Sequence, residues 1–496
     1  MPGAGIDNQY SESHCRISSQ TTPAVPSWRL IREDLVPNVI NIVVDLIQRD
    51  YATPADVPAH SRWRHFEAPS IVGGDKVDRI GHLLKDWGYV GTSKSNEQGH
   101  HDAVGEVDTE DTEATAGSKR KRARTNSGSD GVAPTRPSSR PSSTPIAPEK
   151  QKLPKSLHTE EALEHVRRLL DLFVVSVLLD AGAGSAWKYH PKGTPARHIM
   201  SRSEGLAVAS YDWFIDGGLS AAPSWTADKH RVDSTKLQSI SVGDVKSAFQ
   251  VSGNNPLVGV RGRCELLNRL GRVLEDKKVY FGKDKLARPG FMLDYMLSHE
   301  DTTVTDDNHI SVSMNGLWSV VMDGLSGVWP TTRTKLHNVS LGDVWPCVAM
   351  GLIAKELRSK NDKVITDYDE SADSLVPFHK LSQWLTYSLM EPLSLLNITT
   401  RDSHVMTGLP EYRNGGLLLD YGVLELKEES VGEKDEDGIP TYHVHDDVIV
   451  EWRALTVAFL DKIGEGVREK LGMSIDELPL VKVLEAGTWK ADGTVF

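Results

Sequence analysis

Apolar residues along this chain recur mainly at steps of three and four. Leu163, Val166, Leu170, Phe173 and Val177 fall on one face of a helix, which predicts a helix over Leu163–Asp180. The same spacing predicts helices in Val77–Trp87, Val258–Leu274, Leu317–Val328, Val344–Leu357, Leu381–Met390 and Trp452–Ile463. Alternation of the strand kind is scarce. Lys278–Phe281 and Tyr442–Val450 carry it best and predict one small hairpin or ribbon. No fixed-period repeat stands out. The pattern therefore predicts a mainly α fold, a single helical domain with minor β.

The pattern lapses twice. Residues 1–25 are polar and rich in Ser and Thr, and read as a tail. Residues 93–155 pass from an acidic stretch (Glu106–Glu113) to a basic one (Lys119–Arg124, KRKRAR) and then to a Ser/Pro-rich run. So few apolar groups cannot offset the entropy of ordering, which predicts a long disordered insert between helical parts at 26–92 and 156–496. KRKRAR resembles a nuclear-localisation signal, and a solvated charge run gives the same string.

Composition narrows the class. With 39% hydrophobic residues and 12 tryptophans among 496 residues, a sizeable core can form. A net charge of -13 argues against a bulk nucleic-acid binder. Cys15, Cys264 and Cys347 are too widely spaced for a disulfide framework or a zinc cluster. No signal pattern opens the chain, and no apolar run approaches the roughly 20 residues that cross a bilayer. These features predict a soluble cytoplasmic protein, with the nucleus as the alternative that KRKRAR raises.

The segment Gly408–Leu424, GLPEYRNGGLLLDYGVL, carries the most chemistry. Glu411, Tyr412 and Arg413 stand side by side after Pro410, which disfavours helix at Leu409, and before Gly415 and Gly416, which let the backbone turn tightly. An acid, a phenol and a guanidinium at a helix mouth suit a sugar-phosphate site; pairing with neighbours is the plainer alternative. Asp180 continues the buried stripe to the C-terminal end of its helix, where burial and macrodipole both disfavour its charge. Either Lys188 or Arg197 pairs with it, or it serves a pocket walled by Trp187 and Tyr189. Lys380, Gln383 and Tyr387 share a second face of the helix whose buried stripe is Leu381, Leu385 and Leu389. Such tips can hold phosphate and hydroxyl groups, or simply face water. Tyr211, Asp212, Trp213 and Asp216 gather near a helix end, where the two rings could stack on a base or sugar, although aromatics at this spacing also build cores. Arg261, Arg263, Arg269 and Arg272 share one helix and could bind phosphate or face solvent. There is no GxSxG elbow, Walker loop, GxGxxG after a strand or HExxH. No cofactor and no metal are expected, and the reagents of any enzyme here are carboxylates and water.

The signatures LLDAGAGSAWKY, RSEGLAVASYDWFIDGG, NPLVGVRGRCELLNRLG, GVWPTT and GLPEYRNGG resemble the fungal and bacterial uracil catabolism protein four family across nearly all of 156–496 and much of 26–92. That resemblance implies a route in which uracil is attached to ribose phosphate and its ring opened, giving ribosylurea-type intermediates and then urea. A fainter resemblance is to the queuosine-salvage N-glycosylases, helical proteins similar in fold to DNA glycosylases. Their Lys-x-x-Gln is matched by Lys380 and Gln383, and their Asp-Tyr-Arg by Glu411, Tyr412 and Arg413. Gly422–Leu424 and Glu451–Leu460 match further elements, while the family's catalytic aspartate is a glutamate here, one methylene longer. The resemblance implies cleavage of an N-glycosidic bond with Glu411 as the catalytic carboxylate. Lys380 and Arg413 would hold a 5′-phosphate, and Gln383 and Tyr412 would orient hydroxyls or the leaving group. Asp180 would bind a ureido group, with Trp187, Tyr211 and Asp212 as further contacts. The expected partner is a small nucleoside- or nucleotide-derived substrate, with pathway enzymes beside it. A nucleic-acid-processing glycosylase and a non-catalytic scaffold are the alternatives.

Overall fold

The computed structural model describes residues 27–487, apart from 70–75, 90–157, 181, 196, 283–285, 306–308, 331, 360–371, 435–437 and 439. The tail expected over 1–25 and the insert expected over 93–155 lie outside the described residues. The described residues before and after 90–157 group as one compact unit. Helices dominate it: α1 (Val36–Asp50), α2 (Arg62–Phe66), α3 (Arg79–Asp86), α4 (Glu160–Leu178), α5 (Arg202–Ile215), α6 (Ser234–Ser239), α7 (Val242–Ala248) and α8 (Val260–Asp276). They continue with α9 (Lys278–Phe281), α10 (Met292–Leu297), α11 (Met314–Ser319), α12 (Val348–Ser359), α13 (Lys380–Ser394), α14 (Tyr412–Asp420), α15 (Asp447–Leu471) and α16 (Leu480–Gly487). The fold is mainly α, as the spacing of apolar residues predicts.

The strands are short and local. β1 (Trp28–Ile31) pairs antiparallel with β9 (Leu424–Leu426), tying the start of the described chain to the turn after α14. β2 (Thr303–Val304), β3 (Ile310–Ser313) and β8 (Ile398–Arg401) form a three-stranded sheet in which β3 and β8 run parallel. β4 (Lys335–Leu336) pairs with β5 (Val339–Ser340), and β6 (Val344–Pro346) with β7 (Leu375–Pro377). None lies where alternation predicts one. Lys278–Phe281 is a single helical turn. Over Tyr442–Val450, the Asp446 carboxylate accepts the His443 N–H at 2.7 Å just before α15 begins at Asp447. That bond back to His443 closes a turn where alternation predicts a strand. The helix expected from Val344 gives up its first turn to β6, and the one expected over Leu317–Val328 breaks into α11, a π turn and a 3-10 turn.

Two apolar cores result. In α4 every residue from His165 to Leu178 is buried, so the one-sided stripe seen in sequence understates its burial. Its polar residues are matched inside: Asp171 takes the Arg288 guanidinium at 2.6 Å and the N–H groups of Val232 and Gly290. Helix α13, also buried along most of its length, packs against α4, as does α5. The second core joins α1, α14, α15, β6 and β7, with Trp28 stacked on Trp452 at 6.5 Å. Among the described residues no helix is long and apolar enough to cross a membrane.

Candidate active site

The end of α4, the first turns of α5, α13 and α14, and the short helix α2 meet through their charged side chains. Pro410 keeps Leu409 out of helix, and Glu411 follows as the extended N-cap of α14, with φ −125° and ψ 165°. Its side chain makes no cap hydrogen bond and reaches instead to the Lys380 Nζ at 3.2 Å. Lys380 opens α13, and its ammonium lies 5.2 Å from the centre of the Trp384 ring one turn on. Burial pushes the Glu411 carboxyl up. The Lys380 ammonium, with His60 and Arg413 behind it, outweighs burial and brings its pKa below the ordinary glutamate value. Glu411 is therefore held as a carboxylate at neutral pH.

The loop that carries Glu411 is clamped. Gln383 donates from Nε2 to the Thr407 hydroxyl at 2.6 Å and to the Phe378 carbonyl, and its Oε1 accepts the Thr407 N–H at 3.0 Å. Tyr387 donates its hydroxyl to the Thr407 carbonyl at 2.9 Å. The polar face expected to gather phosphate thus splits: Lys380 goes to Glu411, while buried Gln383 and Tyr387 grip Thr407. Asn414 adds a donor to the Leu409 carbonyl at 2.8 Å. Gly415 and Gly416 lie inside α14 and make no tight turn. Gly415 is needed because a Cβ there would stand 2.5 Å from the Trp452 ring.

Arg413 donates from Nε to the Tyr412 hydroxyl at 3.1 Å, and one Nη lies 3.6 Å from a carboxylate oxygen of Glu204 in the first turn of α5. Tyr412 is exposed at the rim. Beside Glu204, the Ser203 hydroxyl donates to Asp180 at 2.6 Å, and the fully buried Arg62 lies 3.4 Å from the same oxygen. Asp180 pairs with Arg62, neither Lys188 nor Arg197. Arg62 also donates to Ser176 on α4 and to Ser203, and sits 5.4 Å from the Trp384 ring, on which His65 packs edge-on. Burial, with Arg62, His60 and Arg413, keeps His65 neutral. Arg263, far from facing solvent, is buried and donates to the Leu179 carbonyl at 3.0 Å, capping the end of α4 beside Asp180. Burial lowers its pKa to about 10.

Asp180, Lys380, Glu411, Tyr412 and Arg413 thus share one connected cluster, and Gln383 supports it from inside. Trp187, Tyr211 and Asp212 make other contacts. Trp187 is fully buried, donates to the Phe249 carbonyl at 2.9 Å and stacks on Tyr189. Tyr211 donates to the Arg79 carbonyl at 3.1 Å, and Asp212 accepts from the Tyr189 hydroxyl at 2.8 Å. Among the described residues no hydrogen bond, ion pair or ring contact joins these three to Glu411.

A family model described as "Protein of unknown function (DUF1688)" matches residues 17–104 and 145–495. The chain belongs to this family. It is 41% identical over 468 residues to uracil catabolism protein 4 of Lachancea kluyveri, covering 92% of this chain and 84% of that protein. It is 32% identical over 460 residues to protein urg3 of Schizosaccharomyces pombe, again covering 92% and 84%. In this family member, sequence reasoning passes over Arg62, Ser203, Glu204, Trp384 and Thr407. A usable signal existed for Glu204, which stands in the first turn of the helix RSEGLAVASYDWFI, and for Arg62, a charge in an aromatic-rich segment. It also misses Asp343, which accepts the Lys380 N–H at 3.1 Å and a bidentate Arg453, holding the start of α13. A cleft of about 260 Å³ lies toward the other end of α4, lined by Glu164, Arg167, Arg231, Arg288 and Phe291 among others. Arg167, Arg231 and Arg288 there are paired to carboxylates, so it resembles a charge network more than a reaction centre.

Proposed function

We propose that this protein acts in uracil catabolism as an N-glycosidic hydrolase that cleaves a ribosylurea-type compound to urea and ribose, or their phosphorylated equivalents. The pathway reading is supported by the name of the relative from Lachancea kluyveri, uracil catabolism protein 4. The observation that carries the reaction is the Lys380–Glu411 pair at 3.2 Å, which keeps a mostly buried carboxylate ionised at a helix mouth. As the C1′–N bond breaks, its electron pair goes to nitrogen and the sugar gains oxocarbenium character. A nearby carboxylate lowers the energy of that cation and aligns water for attack on C1′. Water's oxygen bonds C1′ and one of its protons passes to Glu411 and on to solvent, while the urea nitrogen takes a proton from solvent.

The supporting residues divide the remaining work. Lys380 holds Glu411 ionised, and the Gln383 clamp fixes the backbone that presents it. Tyr412 offers an exposed ring and hydroxyl to the sugar. Asp180 positions Ser203 and Arg62. The test is to incubate purified protein with N-ribosylurea and with its 5′-phosphate and to measure urea and free sugar together. Equimolar release supports the reading and shows which form is the substrate. No release from either, at enzyme concentrations comparable with substrate, overturns it.

A further inference from the structure

Three carboxylates and three cations meet in the cluster, and they are not equally engaged. Glu411 holds Lys380 at 3.2 Å, and Asp180 shares one oxygen between the Ser203 hydroxyl and Arg62. Glu204 and Arg413 approach only to 3.6 Å. Among the described residues the Glu204 oxygens accept no hydrogen bond, and the Arg413 Nη groups donate none. Both side chains are partly open, 33% and 22% exposed, and Arg413 lies two residues from Glu411 on the same helix mouth. An acceptor-only group and a donor-only fork therefore face each other with unfilled valences, at the edge of the site and next to its carboxylate.

We propose that Glu204 is the specificity-determining residue of this site, accepting the N–H groups of a ureido leaving group and rejecting an intact pyrimidine ring. The inference rests on the N-glycosidic reading above. A ureido group presents two N–H donors side by side, which a carboxylate accepts as a bidentate pair. The free edge of a uracil ring presents one N–H flanked by two carbonyl oxygens. Set against Glu204, those oxygens put lone pair against negative charge, a repulsion that selects by exclusion. One Asp180 oxygen is taken up by Ser203 and Arg62 and its side chain is only 11% exposed, so the more open Glu204 is the carboxylate placed to read the substrate.

The experiment measures kcat and KM for N-ribosylurea and for uridine, each with and without 5′-phosphate, in the full-length parent and in Glu204→Gln and Glu204→Asp. The parent is expected to prefer the ureido substrate. Loss of a charge-assisted bidentate contact in Glu204→Gln should lower kcat/KM for ribosylurea by about 10- to 100-fold, chiefly through KM, while uridine cleavage is unchanged or rises. Glu204→Asp keeps the charge and should recover part of the preference, which a purely structural role would not do. Both variants should melt close to the parent, because Glu204 has only a partly exposed ion pair with Arg413 at 3.6 Å to lose. The proposal falls, with the N-glycosidic reading intact, if Glu204→Gln keeps the parent's preference or loses both substrates equally. A parent that prefers uridine also overturns it, together with the ribosylurea substrate of the functional reading. If the parent cleaves neither compound, the functional reading fails and takes this one with it.

Discussion

Replacing Glu411 by glutamine separates the chemistry of this site from its architecture. At 3.2 Å and an effective dielectric constant of about 20, the Lys380–Glu411 attraction is roughly 5 kcal/mol before desolvation. Much of that offsets the cost of taking both charges from water, and Lys380 remains 25% exposed, so solvent screens the pair further. The amide keeps the size of the carboxylate and one acceptor for the ammonium. The net loss of stability should therefore be ~1–2 kcal/mol, which in a unit of this size lowers Tm by about 3 °C or less. The rate should suffer far more. Loss of a general base alone costs roughly 10²–10⁴-fold, and loss of the charge facing the oxocarbenium adds to it. Differential scanning calorimetry and a coupled urea assay measure the two effects side by side. Lys380→Met on the Glu411→Gln background should restore Tm without restoring turnover, because it removes the unpaired cation and nothing that reacts. Turnover of Glu411→Gln within a few-fold of the parent would refute the catalytic assignment. A fall in Tm beyond about 10 °C would show instead that the pair is chiefly structural.

Other consequences are equally measurable. Glu411 is held below the ordinary glutamate value of 4.5 mainly because the Lys380 ammonium outweighs burial. In Lys380→Met burial acts unopposed by that cation, so the acid limb of kcat/KM should move up towards neutral pH; an unmoved limb would assign it to another group. Gln383→Leu strands the Thr407 N–H and removes one partner each from the Thr407 hydroxyl and the Phe378 carbonyl, at a cost of ~1–3 kcal/mol read from denaturant midpoints. It should lower kcat more than it raises KM, since it loosens the loop before Glu411. Glu451 is fully buried and pushed up to about 7 by burial, with one carboxyl oxygen that finds no hydrogen-bond partner among the described residues. The unfolded chain releases that proton near 4.5 and the folded one near 7, so the folded state binds more protons between them and loses stability as pH rises through that window. Glu451→Gln should accordingly gain up to ~3 kcal/mol at pH 8 and nothing at pH 4, read from denaturant midpoints at the two pH values.

The sequence by itself determined that the fold is mainly α, because apolar spacing at three and four residues is a local property that burial of a helix face requires whatever the partner. It determined in the same way that Glu411, Tyr412 and Arg413 stand at a helix mouth after Pro410, and that Lys380, Gln383 and Tyr387 share a face. It also carried the family, through motifs spread along the folded parts. Which group each side chain meets was decided only in three dimensions. Gln383 and Tyr387 close on Thr407, 24 and 20 residues away, whereas Lys380 on the same face turns to Glu411. Arg62 reaches Ser176 across 114 residues and settles beside Asp180, which nearby Lys188 and Arg197 could equally have served. Gly415 is small for the sake of Trp452, 37 residues on. A charge or a polar tip has no period and no preferred separation. Its partner is fixed by how the helices pack, and packing depends on every apolar face at once.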